Sequence, residues 1–429
     1  MRRLFTVTVF TVVMLAILAV CFLMRDKNAE DDSFYITVLS QDGTSEKILP
    51  FSTEDACAVF VLPSYAKMEK ATFRSGGIDI VGSDGRVLLS DGMKCASVSV
   101  NCEYDLSAPD GSYKKILFLQ SDSIATMYID IFEEELEKVH ADKKHKSYAD
   151  IALYTDSGDV AYQTERRYDQ IRGRGNWTWM QDKKPYNIYL EKAADLLNMG
   201  ASNHWALIAN AIDETNLRNR IAYQYAEKMA GYEFFSPECE YVDLYMNGEY
   251  QGLYLLCERI EIAESRLAAD EQDFLFCLDA DYRMPDMGTA FLLNPGIAVE
   301  INHPDPCTQE EEVILKNHLV EMQNAFLKEG DSDQAWKDYI DLDSWAREYL
   351  IEEIFQNYDA GAQSQYFLWH MEDDKIYVGP CWDYDNILGV DGYGMSPRSF
   401  LAVDVVHQQC HVFLRISRRC LKLPHGGFR

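Results

Sequence analysis

The sequence predicts an α+β protein: a small all-β domain and a larger mixed domain, behind an N-terminal membrane-spanning helix. Three patterns carry that expectation. Residues 33 to about 120 alternate short apolar runs with Asp-Gly and Gly-Gly turns. From about Ile124, hairpin signals alternate with helical periodicity. The first 27 residues hold a single long uncharged run. At 429 residues the chain is long enough for two domains, or one large one with an appendage. The expected segments are 1–27, 28–122, 123–404 and a tail at 405–429.

The N-terminal segment opens with Met1-Arg2-Arg3. Phe5 to Met24 follow, twenty residues without a charge, and then Arg25, Asp26 and Lys27. That length suits a bilayer span better than the shorter core of a cleaved leader, and no small-residue cleavage site ends it. Two arginines before the span favour a cytoplasmic N-terminus. The expectation is a single-pass signal-anchor at the cell membrane with the rest of the chain outside the cytoplasm.

The body is strongly acidic: 70 Asp+Glu against 40 Lys+Arg, a net charge of −30. Nucleic-acid binding needs a basic footprint and is excluded as an expectation. A phosphorylated ligand would have to meet a local cluster of cations against that field. The 11 cysteines include no Cys-x-x-Cys pair, so no zinc site is expected. Cys95 and Cys102 could bridge in an oxidising compartment, or be isolated thiols.

In the first domain, Phe34 to Leu39, Ala58 to Leu62 and Ile78 to Val81 read as strands, punctuated by Asp42-Gly43, Gly76-Gly77 and Asp84-Gly85. Such spacing suggests a sandwich. In the second, Ile151–Tyr154 and Val160–Tyr162 flank Asp156-Ser157-Gly158-Asp159 as a hairpin. A stronger one joins Tyr241–Met246 to Tyr250–Cys257 through Asn247-Gly248, the dipeptide of type I′ turns. Leu217, Ile221, Tyr225 and Met229 recur every four residues beside Ala222 and Ala226, which predicts an amphipathic helix and its buried face. Thr308-x-x-Glu311 opens another helix with a capping box. A third, from about Asp343 to Gln356, leads to Asp359. The tail breaks the pattern: from Val405 there are five Lys+Arg and no Asp or Glu. So abrupt a change reads as a lost reading frame rather than a domain.

Two acidic segments carry the chemistry. Asp359 follows the third helix. Tyr366–Trp369 and Lys375–Val378, around Glu372-Asp373-Asp374, read as a hairpin, and Asp383-Tyr384-Asp385 comes just past its end. One carboxylate free to accept a proton, beside others that hold a divalent cation, is what phosphoryl transfer needs. Upstream, Arg172-Gly173-Arg174-Gly175-Asn176 leads into Lys183-Lys184-Pro185-Tyr186. Glycines let backbone approach a ligand, and the basic groups suit phosphate.

Taken together, the chain resembles the spore-coat protein H (CotH) kinases, an atypical protein-kinase-like family, from about Ile124 to Asp404. The resemblance rests on Arg172-Gly173-Arg174-Gly175-Asn176-x-Thr178-Trp179, Lys183-Lys184-Pro185-Tyr186, Asn210 with Asp213, and Leu217-Arg218-Asn219. It continues through Val242 to Gly252 and Tyr254 to Glu261, and ends on Asp359 and Gly379-Pro380-x-Trp382-Asp383-Tyr384-Asp385.

That resemblance implies a two-lobed kinase-like domain. It also implies ATP-dependent phosphorylation of Ser or Thr on secreted, surface or spore-coat proteins. Asp359 would orient or deprotonate the acceptor hydroxyl. Lys184 would steady the ATP phosphates, with Arg172, Arg174 and Glu258 as further nucleotide-binding candidates. Asp383 and Asp385 would hold Mg²⁺ or Mn²⁺. Where protein kinases place a metal-binding asparagine, five residues past the catalytic aspartate, this chain has Ser364. The competing expectation is a kinase-like surface-binding or structural protein with little or no turnover.

Overall fold

A computed structural model describes residues 34–388, apart from 54–56, 108–113, 230–235, 264, 268, 295, 328–334 and 358–362. Within these residues the protein is mixed α+β and rich in sheet, with four α-helices: α1 (Glu133–Ala141), α2 (Arg218–Lys228), α3 (Gln309–Leu327) and α4 (Leu342–Phe355). None is long and apolar enough to cross a membrane. The Phe5–Met24 run, Asp359 and the basic tail lie outside the described residues. The chain divides into two compact units, and the described residues of the first lie within 34–130, 152–161 and 243–252.

In the first unit two sheets share one core. Tyr35–Leu39 is the middle strand of a three-stranded sheet, antiparallel to Ser45–Ile48 and Thr72–Arg74. A six-stranded sheet is centred on Cys57–Leu62 and Lys115–Gln120, which run parallel. Ile36, Val38 and Phe73 from one sheet pack with Phe60, Ile116 and Phe118 from the other, all fully buried. The period-2 alternation seen in the sequence supplies this core. Two hairpin segments belong here because their tyrosines do. Tyr128 stacks on Tyr245 at 4.9 Å and bonds Tyr65 at 2.9 Å, and the Tyr154 hydroxyl donates to Glu46 at 2.7 Å. All eight described cysteines are free thiols, so Cys95 and Cys102 are not bridged.

The second unit contains two sheets. One has the order Ser147–Tyr148, Gln170–Gly173, Tyr186–Asp195, Ala201–Ile208, then residues 253–258 of the Glu249–Glu258 strand. The turn that precedes this strand lies in the first unit, where Asn247 and Gly248 both have positive φ (50° and 84°), as a type I′ turn requires. The other sheet runs Thr289–Asn294, Ile297–His303, Phe274–Ala280, Gln365–His370, Lys375–Val378. Its last two strands are the expected hairpin. Helices α3 and α4 cover it: Leu315, Leu319 and Met322 from α3 and Trp345 from α4 pack on Phe276, Leu278 and Phe367. Truncating Phe276 to alanine would cost about 3–5 kcal/mol.

Local signals set the helix ends. The Thr308 amide donates to the Glu311 carboxylate at 2.7 Å, and the Glu311 amide donates back to Thr308 Oγ1 at 3.3 Å. Asp341 accepts the Ser344 amide at 2.7 Å to open α4, and Gln356, at φ 53°, closes it. For α2 the expected helix forms and Ala222 and Ala226 are buried as expected, but the four-residue series is not the centre of the buried stripe. Leu217, Ile221 and Tyr225 are 47%, 41% and 38% exposed, whereas Asn219, Ala222, Tyr223 and Ala226 are buried. The buried stripe carries two polar residues because α2 holds the carboxylate segment described next.

Candidate active site

A cavity of about 190 Å³ opens in the second unit, lined by Arg174, Asn210, Ser364, Asp383, Asp385 and Asn386 among others. Several elements build its wall. The loop between the Gln170–Gly173 and Tyr186–Asp195 strands contributes Arg174 and Pro185, and the sheet Ile208; α2 contributes Asn219 and Tyr223; Arg283 comes from the turn after Phe274–Ala280; Gln363 and Ser364 precede the hairpin.

The turn before α2 is organised by Asp213, which is 2% exposed. Its carboxylate accepts from the amide and hydroxyl of Thr215 at 3.0 and 2.6 Å and from the Arg218 amide at 2.9 Å, and it pairs with the Arg218 guanidinium. Arg218 Nε in turn donates to the Ile387 carbonyl at 3.0 Å, tying α2 to the far side of the carboxylate segment. On the next residue, Asn219 Nδ2 donates to Asn210 Oδ1 at 3.0 Å, and Asn219 Oδ1 accepts the Tyr384 amide at 2.8 Å. Tyr223 stacks on Trp382 at 6.1 Å. The Tyr384 hydroxyl donates to Glu352 on α4 at 2.8 Å. The buried tyrosine and asparagine thus hold both sides of Asp383, whose own backbone takes the left-handed conformation at φ 69°.

Asp383 Oδ2 accepts the Ser364 hydroxyl at 2.8 Å, and Asp385, 5% exposed, lines the same cavity. Two carboxylates, a hydroxyl and the Asn386 amide offer oxygen donors, and among the described residues no thiol or imidazole lines the cavity. That suits a hard cation such as Mg²⁺ or Mn²⁺. Asn210 Nδ2 is buried in this wall with no hydrogen-bond partner among the described residues. An unmatched buried donor fits a ligand that brings acceptor oxygens.

The basic residues divide. Arg174 lines the cavity, its guanidinium 5.2 Å from the centre of the Trp382 ring. Lys184, Arg172 and Glu258 do not line it. The Lys184 ammonium donates to the carbonyls of Trp179 and Gln181 at 2.8 and 2.7 Å. Its neighbour Lys183 donates to the Leu253 carbonyl at 2.5 Å, and burial pulls its pKa down to about 8. Glu258 pairs with Arg266 and accepts the Glu238 amide at 2.8 Å. Burial pushes its carboxyl up to about 7. The loop glycines have structural reasons of their own: a Cβ on Gly173 would meet the Trp179 ring at 2.5 Å, and Gly175 has φ +76°. The glycine at 173 therefore makes room for a tryptophan rather than for a ligand.

Sequence reasoning missed Arg283, which forks onto Asp279 at 3.0 and 2.9 Å and reaches Gln363 at 2.9 Å. It also missed Lys143, which fastens the loop through the Gly175 carbonyl and Asn176 Oδ1 at 3.0 and 2.7 Å. Only the i,i+4 spacing of Asp279 and Arg283 hinted at either.

Fold and site together define a mixed α+β protein with a carboxylate-bearing, arginine-flanked cavity. The family model described as CotH kinase protein matches residues 171–416, more than half of the chain. The chain belongs to the CotH kinase family. Curated proteins were also compared, and none matches. The matched region contains Arg172, Arg174, Lys184, Glu258, Asp359, Asp383 and Asp385.

Proposed function

We propose that the protein is a membrane-anchored, extracytoplasmic kinase that moves the ATP γ-phosphate to Ser or Thr of secreted or surface proteins. The supporting observation is the meeting of Asp383, Asp385, Ser364 and Arg174 in one cavity. Its size suits the phosphate and cation end of a nucleotide better than a whole one. Asp383 and Asp385 would hold Mg²⁺ or Mn²⁺, with Ser364 orienting the Asp383 carboxylate. The cation would supply neutralisation of the phosphate oxygens. Arg174 meets phosphate charge, and Asn210 offers its unmatched donor. Asp359, assigned from its place in the family pattern, receives or orients the acceptor proton. The membrane anchor rests on the Phe5–Met24 run alone.

One observation favours the other reading, a kinase-like binding protein. Protein kinases pair a lysine with a glutamate at the nucleotide, whereas here Lys184 holds backbone carbonyls and Glu258 holds Arg266. Transfer of radiolabelled γ-phosphate by the region after Lys27, with Mn²⁺ or Mg²⁺, decides between them. Transfer that disappears in Asp383→Asn supports the kinase; nucleotide binding without transfer supports the binding protein. Protease added to intact cells tests the topology, which fails if the body is protected until lysis.

A further inference from the structure

Beside the cavity, on the same sheet, three cations gather on one tyrosine. The Lys146 ammonium lies 3.5 Å from the centre of the Tyr189 ring, and the guanidinium carbons of Arg172 and Arg259 lie 5.6 and 5.7 Å from it. Register explains the grouping. Gln170 is opposite Tyr189 and Tyr189 opposite His204, while Arg172 is opposite Asn187. Opposed residues share a face, so Arg172, Tyr189 and His204 lie on one side of the sheet. Ala206 opposite Cys257 puts Arg259, two residues on, on that side too. Arg174, the cavity's cation, is also two residues from Arg172, about 7 Å along the strand direction.

These cations are unlike the chain's other well-placed arginines. Arg218, Arg220, Arg266 and Arg283 each pair with a carboxylate. Among the described residues Lys146, Arg172 and Arg259 make no ion pair and no side-chain hydrogen bond, and Arg172 Nε is buried without an acceptor. Two carboxylates feel the arginines through space, Glu261 with Arg259 and Glu300 with Arg172, but their hydrogen bonds come from elsewhere: from His204 and Ser202 to Glu261 at 2.7 and 2.8 Å, and from the Gly288 amide to Glu300 at 2.8 Å. Burial and then the two arginines pull the Lys146 pKa down, as expected of like charges held together. In a chain of net charge −30, three clustered cations that make no ion pair among the described residues leave their donors to an added anion.

We propose that Lys146, Arg172 and Arg259 form a second anion site that holds a phosphate monoester already present on the acceptor protein. Two guanidinium forks and an ammonium match a dianionic phosphate better than a single carboxylate. The cavity has its own cation in Arg174, so this cluster is left for the acceptor side. This rests on the phosphotransfer reading, whose product is itself a phosphate monoester. A serine modified in one turnover would then dock beside the cavity and bring the next hydroxyl within reach, favouring acceptors with closely spaced serines.

The test uses two peptides with the same two-serine sequence, one carrying a phosphoserine, and the whole chain with Lys146→Ala, Arg259→Ala or Arg259→Lys. Binding is read by fluorescence anisotropy without nucleotide, and transfer by kcat/KM. The phosphorylated peptide should bind about tenfold or more tightly, as charge-assisted forks allow. Both alanine variants should lose that preference while transfer to the plain peptide stays within about twofold, and Arg259→Lys should keep part of it. Equal binding of the two peptides overturns the proposal. So does displacement of the phosphopeptide by ATP with Mg²⁺, which would assign the cluster to the nucleotide. Phosphopeptide binding without any transfer would instead sink the kinase reading and leave the anion site standing.

Discussion

The Ser364 hydroxyl donates to Asp383 Oδ2 at 2.8 Å, joining the segment before one hairpin strand to the segment after the other. Both residues have positive φ, 52° and 69°, so neither takes this place by local preference. The pair shapes the carboxylate that faces the cavity, and the first prediction follows from it.

Asp383→Asn and Asp385→Asn remove charged oxygen ligands from a hard cation. Thermal stabilisation by ATP with Mn²⁺ should shrink in at least one, with transfer reduced about a hundredfold or more. Ser364→Ala should cost less, about tenfold in metal affinity, because it disturbs orientation rather than charge. Unchanged shifts in both aspartate variants would refute the metal assignment.

Asp359→Ala should abolish transfer and leave nucleotide binding nearly intact, since a proton acceptor acts in the chemical step. Loss of transfer below tenfold, or an equal loss of ATP affinity, would show that Asp359 has a different role.

Lys184 bridges two carbonyls of the Thr178–Met180 turn region, so Lys184→Met should lower stability by about 1–2 kcal/mol. A melting temperature that falls with only a small change in ATP affinity supports this positioning role. A tenfold loss of ATP affinity at unchanged melting temperature would return Lys184 to the phosphates.

Glu258 makes a pH prediction. Its folded pKa is raised from 4.5 to about 7, with burial the leading cause. The fold therefore prefers the protonated form. That contribution is complete below about 4.5 and is lost as pH rises through about 7, at most ~3 kcal/mol. Melting temperature should fall from pH 5 to pH 8, and Glu258→Gln should flatten the fall. Parallel slopes in the two proteins would exclude Glu258 as its source.

Much of this was legible because it is local. Asn247-Gly248 names its turn, Thr308 and Glu311 name a helix start, and alternating apolar runs name the Gln365–Val378 hairpin. Periodicity found α2 but not the centre of its buried stripe, because Asn219 and Tyr223 are buried by the bonds they make to residues 383 and 384, more than 150 positions away. Spacing carries no trace of such partners.

The sequence by itself determined the family, the mixed α+β class and the hairpins, since these depend on residue type and short-range order. Tertiary structure decided which groups share the cavity. It brought Arg174 in and left Lys184 on its own loop, placed Ser364 against Asp383, and crowded Lys146, Arg172 and Arg259 onto Tyr189. The physical reason is that charge acts through distance in space, and strand register and helix packing set that distance between residues far apart in the chain.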